Sequence, residues 1–161
     1  IWGYLWGKLA YGAMLFATAL NMDSMTENFD APERFPVWRR IGAEVMAATN
    51  ANGIDPVGFN GYEPTCFATE ASDEEARNSI AQLADFNRYS AKTHSGIWRD
   101  LAVRKRATEI DNQIAIIAEL AAEKGVETPA IRRLVELIHD IEEGRREQSI
   151  ETFEALLAVC R

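Results

Sequence analysis

The sequence predicts an all-α domain, and three observations support that prediction. Apolar residues recur at helical spacing along most of the 161-residue chain, and several of these segments begin at residues that cap helices. Strand-like alternation of apolar and polar residues is scarce. With 47% apolar and 26% charged residues, the chain has the size and composition of one domain with its own core. We therefore expect roughly six or seven packed helices and no sheet.

The first predicted helix is the apolar segment from Ile1 to Leu20, in which Lys8 is the single charged side chain. A membrane span is disfavoured, because three glycines dilute the segment and a central lysine costs about 3 kcal/mol in a bilayer. The pattern favours a helix that is buried on nearly all sides. It leaves two interpretations of Lys8 open: a lysine whose stem lies on apolar surface while its head reaches water, and a lysine kept in apolar surroundings for proton transfer.

The next segments predict a connection, a helix and a loop. Residues 21–30 are polar and predict a connection, after which Asp30, with Pro32 and Glu33, predicts the start of a helix that runs to about residue 50. Residues 51–72 hold three glycines and two prolines, which predicts one long irregular loop. Loops of this length in compact domains are often functional.

Capping residues predict the remaining helices. Ser72 and Glu75 form a capping box for a helix that ends near residue 89, and residues 93–107 form a shorter helix with a basic end. Three more helices start at Thr108 with Asp111, at Thr128 with Pro129, and at Ser149. Their apolar stripes are Ile110, Ile114, Ile117 and Ala121 in the first, Ile131, Leu134, Ile138 and Ile141 in the second, and Phe153, Leu156 and Leu157 in the third.

Charge and composition exclude several classes of function. A net charge of −8 and a pI near 4.8 argue against nucleic-acid binding, which needs clustered Lys and Arg. Cys66 and Cys160 have neither zinc-site nor disulfide-scaffold spacing, so we expect no metal site and a reducing, cytoplasmic location. The sequence contains no Gly-x-Gly-x-x-Gly phosphate cradle. The chain begins without Met and inside a helical pattern, so we expect it to be the second half of a longer protein.

Taken singly, the polar residues of the second half of the chain have ordinary structural explanations. Ser95 can serve as a helix cap, and the basic residues 104–106 can form a solvated helix end. Glu109 and Asp111 lie in the first turn of a helix, where acidic side chains complement the helix dipole.

Taken together, two segments resemble the 2-dehydropantoate 2-reductase (ketopantoate reductase) family. The first is WGKLAYGAMLFATAL, which is similar to the Trp-x-Lys-Leu helix of that family. The second is SGIWRDLAVRKRATEID, followed by KGVETPAIRRLVELIHDIEEG, which is similar to its Ser-Ser-x-x-x-Asp, Thr-Glu-Ile-Asp and Gly-x-x-Thr-Pro signature. The resemblance is collinear from about Ile1 to Gly144, although the segment between Asp100 and Thr108 is one residue longer than the commonest version.

The resemblance implies a fold, a cofactor and partners. Residues 1–161 would form the C-terminal helical substrate-binding and dimerisation domain, with a fold like the C-terminal domain of 6-phosphogluconate dehydrogenase. It would follow an N-terminal Rossmann domain, absent from this chain, that binds most of the NADPH. The implied protein is a cytoplasmic homodimer that reduces a small 2-oxo acid, namely ketopantoate or a close analogue, to the 2-hydroxy acid, as in pantothenate biosynthesis.

The resemblance also implies site residues. Lys8 matches the family's general acid, and Glu109 matches a glutamate that helps to hold substrate and lysine in one cleft. Three positions depart from the family's polar substrate shell: Gly12 and Phe16 stand where it has asparagines, and Gly96 stands where it has a second serine. The candidates to supply the lost substrate contacts are Thr93, His94, Ser95, Tyr4, Tyr11 and Asn60.

Two further interpretations stay open. One is a reductase of the same fold that acts on a different, less polar 2-oxo acid, for which Gly12 and Gly96 would leave space. The other is a helical dimerisation domain that has kept the fold and lost catalysis. Retention of both Lys8 and Glu109 argues against the second, because a dimerisation surface gains nothing from a buried lysine.

Overall fold

The computed structural model describes residues 1–161 and contains eight α-helices and no β-sheet, which confirms the predicted all-α class. A 3₁₀ turn precedes the third helix, and π-helical turns follow the fifth helix and precede the sixth. The helices are α1 (Trp2–Thr18), α2 (Met25–Asp30), α3 (Phe35–Ala51), α4 (Asp73–Arg88), α5 (Gly96–Arg99), α6 (Ile116–Glu123), α7 (Pro129–Glu142) and α8 (Ile150–Cys160).

Helix α3 is the centre of the core. It contacts α1, α4, α6, α7 and α8, and it contributes the fully buried side chains of Trp38, Ile41 and Val45. The predicted stripes of the later helices face this core, with Ile141 of α7 the one member only partly covered at the core's edge. Burial of these apolar side chains is the main force that holds the helices together.

The prediction that α1 is buried on nearly all sides is wrong for its first half. From residue 10 onward α1 lies in the core, but Trp2, Tyr4, Leu5 and Lys8 are exposed. The apolar pattern of Ile1–Leu20 does not reveal this, because hydropathy alone cannot tell which of two apolar halves finds a neighbour. The exposed part of α1 does not make a bilayer helix, since no helix of the domain is long and apolar enough to span a membrane.

The prediction of a plain connection at residues 21–30 is also wrong. A capping box begins α2: Ser24 Oγ accepts a hydrogen bond from the Glu27 backbone N–H at 3.1 Å, and Glu27 Oε2 accepts one from the Ser24 N–H at 2.7 Å. Asp30 ends this helix, and the 3₁₀ turn Pro32–Arg34 leads into α3. The Ser-x-x-Glu signal at residues 24–27 was sufficient to predict α2.

Helix α7 begins at Pro129 as predicted, but its cap comes from a distant part of the chain. The buried carboxylate of Glu44 accepts hydrogen bonds from the backbone N–H groups of Ala130 and Ile131, each at 2.9 Å. It also accepts one from Arg40 Nε at 2.9 Å. The side chain of Thr128, the predicted cap, makes no hydrogen bond. A charge on α3 therefore fixes the start of α7.

Candidate active site

Lys8 lies on the exposed side of α1, one helical turn before Gly12 and on the same face. A Cβ atom at Gly12 would lie 3.9 Å from Ile114 Cδ1 and 4.0 Å from Gln113 Oε1. Helix α1 therefore passes the π-helical turn Asp111–Ala115 at Gly12. The Lys8 ammonium takes part in none of the ion pairs of the domain.

Glu109 comes one turn before Gln113 and is exposed. Its carboxylate accepts one long hydrogen bond, from Asn112 Nδ2 at 3.4 Å. Lys8 and Glu109 thus each lie one turn from the contact between α1 and the π-helical turn. Neither the ammonium of Lys8 nor the carboxylate of Glu109 takes part in an ion pair. They do not form an ion pair with each other, and neither lines any of the five main cavities of the domain. That Lys8 and Glu109 share one cleft therefore stays a prediction. A further protein surface would have to complete that cleft.

The long loop lies directly on the first turns of α1. A Cβ atom at Gly7 would stand 1.7 Å from the Val57 carbonyl oxygen, and one at Gly3 would stand 2.4 Å from the Asp55 carbonyl oxygen. The Val57 N–H donates a hydrogen bond to the Gly3 carbonyl at 2.9 Å. The two glycines therefore admit the loop backbone to α1, on a different side of the helix from Lys8.

This loop brings Asn60 to α1. Asn60 and Gly61 both have left-handed backbone conformations, with φ of 50° and 84°, and they join Phe59 and Tyr62, which pair as a two-residue hairpin. The Phe59 ring packs against the ring of Tyr11, with centroids 5.3 Å apart.

Tyr11 and Tyr4 both meet this loop, since each ring packs against Phe59. Burial raises the pKa of Tyr11, and interactions with the side chains of Asn60 and Asn87 oppose that rise only in part. Asn87, on α4, is buried and was not predicted. Tyr11 and Asn60, predicted as separate candidates for substrate contact, therefore lie close to each other.

The segment 93–96 is tied to the corner between α1 and α2. The Thr93 carbonyl accepts a hydrogen bond from the Met25 N–H at 2.9 Å, and the ring of His94 bonds to Thr93 Oγ1 at 2.9 Å and to the Met22 carbonyl at 3.0 Å. Ser95 is buried and caps α5, accepting a hydrogen bond from the Trp98 N–H at 3.1 Å. Helix α5 in turn contacts α1. The capping role of Ser95 is confirmed, and its hydroxyl hydrogen remains free to be donated.

The three departures from the family pattern differ in their surroundings. Gly96 has no atom within 4 Å of the place of a Cβ, so that position opens to solvent. Phe16 is 1% exposed and belongs to the core, so it presents no surface to a substrate. At Gly12 the side-chain amide of Gln113 stands near the space that an asparagine would use. Gln113 was not predicted, and only the contact between the two helices identifies it.

The basic residues 104–106, which end the π-helical turn after α5, are not simply solvated. Arg104 Nη1 and Arg106 Nε each donate a hydrogen bond to Asp100 Oδ1 at 2.8 Å. Partial burial raises the pKa of Asp100, but these two guanidinium groups outweigh it and hold that pKa below its usual value. Lys105 has a left-handed backbone, with φ of 52°, and it ends the helix.

Neither cysteine is activated, and no cluster of three or more His, Cys, Asp or Glu side chains could hold a metal ion. Cys66 and Cys160 are both free thiols. Burial raises the pKa of the Cys66 thiol, and burial together with the nearby Glu44 raises the pKa of Cys160 to about 12. Both thiols therefore stay protonated near neutral pH.

Comparison with known proteins identifies a family for most of the chain. The family model described as "Ketopantoate reductase PanE/ApbA C terminal" matches residues 1–142. No curated protein and no solved structure matches the chain. The matched range includes α1, the loop that covers it, and both turns that carry the candidate site residues, and it ends with α7.

Proposed function

The chain belongs to the ketopantoate reductase C-terminal family, and we propose that it is the substrate-binding domain of an oxidoreductase that uses NADPH to reduce a 2-oxo acid to a 2-hydroxy acid. The observation that carries this proposal is the free, exposed ammonium of Lys8, one turn from the helix contact that also brings the turn of Glu109 to α1. Carbonyl reduction requires a proton donor beside the carbonyl oxygen, and a carboxylate on an adjacent element can orient substrate and donor.

Lys8 would act as the general acid. Reduction of the ketone adds a hydride to the carbonyl carbon, and NADPH supplies that hydride when it is bound. The carbonyl oxygen then carries a negative charge, which the ammonium of Lys8 stabilises and neutralises by giving up one proton. The neutral amine recovers a proton from water before the next turnover. Glu109 would orient the substrate and the lysine, because its carboxylate is free of any ion pair and accepts a single long hydrogen bond.

The NADPH-binding part of the enzyme would cover the exposed half of α1. Trp2, Tyr4 and Leu5 are between 43% and 64% exposed, and Val57 of the overlying loop is 54% exposed. An apolar surface of this kind on a globular domain marks a contact with another protein surface. A Rossmann domain seated there would shield Lys8 from water and close the cleft over Lys8 and Glu109. A homodimer is the second contact that we propose for this domain.

Polar side chains on the segments around α1 would hold the substrate. Ser95 and Thr93 each have a hydroxyl, Asn60 has an amide next to Tyr11, and Gln113 has an amide beside Gly12. The backbone at Gly96 is open. Gly12, Phe16 and Gly96 lack the polar side chains of the resembled family, so a less polar 2-oxo acid is the second candidate substrate, for which Gly12 and Gly96 leave space.

Steady-state kinetics of the intact protein with NADPH and a panel of 2-oxo acids tests the proposal. We expect turnover of 2-oxo acids, with a less polar acid preferred to ketopantoate. A kcat/KM for ketopantoate at least 10-fold above that of every other acid would show that the lost contacts are replaced. Absence of turnover with every acid would favour the non-catalytic dimerisation domain. Calorimetry on the 161-residue chain gives a control, since this chain alone should not bind NADPH at micromolar concentration.

A further inference from the structure

His139 is in the last turn of α7, and its imidazole ring lies between two carboxylates. Its Nδ1 is 2.9 Å from Glu142 Oε1, and its Nε2 is 2.9 Å from Asp111 Oδ1. A neutral imidazole has one N–H donor and one lone pair, whereas both partners are acceptors. Both hydrogen bonds therefore form only when the ring carries two protons and a positive charge.

The second oxygen of Glu142 holds the same turn from the other side. Glu142 Oε2 accepts hydrogen bonds from the Thr108 backbone N–H and from Thr108 Oγ1, the latter at 3.0 Å. Thr108 and Asp111 flank Glu109 in the sequence. The backbone that carries Glu109 is thus attached to α7 at both ends, and the Glu109 carboxylate itself is left free.

The charges around His139 favour its protonated form. Glu136, Asp140 and Glu143 lie on the same side of α7, and the two nearby arginines are engaged: Arg133 pairs with Glu136, and Arg145 pairs with Asp140 and Glu143. Partial burial acts to lower the pKa of His139, but hydrogen bonds and charges from Asp111 and Glu142 outweigh it and raise that pKa above its usual value.

We propose that His139 is a positioning residue, which fixes the turn of Glu109 while it is protonated and releases the Asp111 side of that turn when it is neutral. The inference deepens the proposed function and rests on it for the effect on turnover. The direction follows from the hydrogen bonds. Below the ordinary pKa of histidine both bonds are intact, and as the pH rises through the folded-state pKa of His139, one ring nitrogen turns its lone pair toward a carboxylate.

Substitution of Asp111 separates charge from position. In Asp111→Asn the amide can accept a hydrogen bond from a protonated ring or donate one to a neutral ring, so the turn should stay in place at every pH. In His139→Gln a single NH2 group and a carbonyl oxygen replace the two ring nitrogens, so one carboxylate faces an acceptor and the turn should be loosened at every pH. Ser149→Ala, which removes the distant cap of α8, is the matched control for a general loss of stability.

NMR pH titration of the 161-residue chain tests the positioning directly. We expect the backbone amide of Glu109 to shift with the midpoint of the His139 ring, and with a midpoint above that of a free histidine. The Glu109 response should be reduced several-fold in Asp111→Asn and absent in His139→Gln, and it should persist in Ser149→Ala. A Glu109 amide that ignores the His139 midpoint in the unsubstituted chain would overturn the inference.

Kinetics of the intact protein tests the consequence for turnover. We expect the kcat of the unsubstituted protein to fall on the alkaline side with the midpoint measured for His139. His139→Gln should stay roughly 10-fold below the kcat that the unsubstituted protein reaches at acidic pH, and Asp111→Asn should lose the alkaline limb. An unchanged limb in Asp111→Asn would contradict the positioning role in catalysis. A protein without any reductase activity would contradict the proposed function alone, because the amide titration decides the inference separately.

Discussion

At the scale of single residues, the glycines of α1 have two distinct roles that composition alone does not separate. Gly3 and Gly7 admit the loop backbone, whereas Gly12 leaves space beside Gln113 and Ile114. The sequence shows three glycines in an apolar helix, but it does not show which neighbour each glycine contacts. Those neighbours are about 50 to 100 residues away in the chain.

Gly7→Ala should destabilise the domain. A methyl group at Gly7 would overlap the Val57 carbonyl oxygen, so the loop backbone must move away, at a cost of about 1–3 kcal/mol, the range for overpacking. Urea denaturation of the chain measures this loss. Gly96→Ala is the control, because that position has no neighbour within 4 Å, and its stability should be unchanged or slightly higher. Equal stability of both variants would contradict the close approach of loop and helix.

Tyr62→Phe should keep or increase stability, by up to about 1 kcal/mol. The Tyr62 hydroxyl is buried without a hydrogen-bond partner, the ring stacks on Phe67, and burial raises the pKa of this tyrosine far above its usual value. Removal of the hydroxyl relieves its desolvation without creating a large cavity. Thermal denaturation checks the sign, with the exposed Tyr89→Phe as control. A clear loss of stability would mean that the hydroxyl has a partner in solution.

Gly12→Asn should shift the substrate preference of the intact protein toward hydroxylated 2-oxo acids. The nearest atoms to a Cβ at this position are 3.9 and 4.0 Å away, so the side chain fits and adds an amide beside Lys8. A restored hydrogen bond to a substrate hydroxyl is worth about 1–3 kcal/mol, roughly 5- to 150-fold in the ratio of kcat/KM values. The measurement is the ratio of kcat/KM for ketopantoate to kcat/KM for an apolar 2-oxo acid, before and after the substitution. An unchanged ratio would show that position 12 does not belong to the substrate site.

At the scale of helices, local capping signals were predictive where a cap and its helix are neighbours in the sequence. The pair Ser72 and Glu75 begins α4 as predicted, and Ser149 begins α8. The same signal at Ser24 and Glu27 begins α2, contrary to the predicted connection. The cap of α7 could not be predicted, because Glu44 lies 86 residues before the N–H group of Ala130 that it binds.

Glu44→Ala should be among the most destabilising polar substitutions in the chain. It leaves two buried N–H groups at the start of α7 without a partner, and such a loss costs about 2–4 kcal/mol. The exposed cap variant Ser72→Ala offers a matched comparison and should cost about 1 kcal/mol. Chemical denaturation of both variants gives the comparison. If Glu44→Ala costs no more than Ser72→Ala, the buried carboxylate does not cap α7.

At the scale of the whole molecule, the sequence predicted the fold class and named candidate site residues, but it did not predict how those residues are arranged. Apolar periodicity predicts a core face for each helix, and the later helices use the stripes that were predicted. The exposure of Lys8 could not be predicted in the same way, because the segment around it is equally apolar on all sides. It depends on which helices pack together, and the first half of α1 has one face that no element of this domain covers.

The exposed half of α1 relates the domain to the proposed enzyme. Its exposed apolar side chains lie within two helical turns of Lys8, whose ammonium takes part in no ion pair, on the outside of an otherwise well-packed core. Such a surface is costly for a domain that works alone, and it is suited to a domain whose site is completed by a second one. The central claim is therefore that Lys8 acts on a substrate held between two domains.

The kcat of Lys8→Met in the intact protein, measured with NADPH and the preferred 2-oxo acid, tests that claim most directly. Methionine keeps much of the aliphatic stem and removes the proton, so the fold should persist while kcat falls roughly 10²-fold or more, the range that a general acid contributes. Lys124→Met, at the exposed end of α6, is the matched control and should keep normal turnover. Near-normal kcat in Lys8→Met would contradict the account and leave Lys8 as an ordinary exposed lysine.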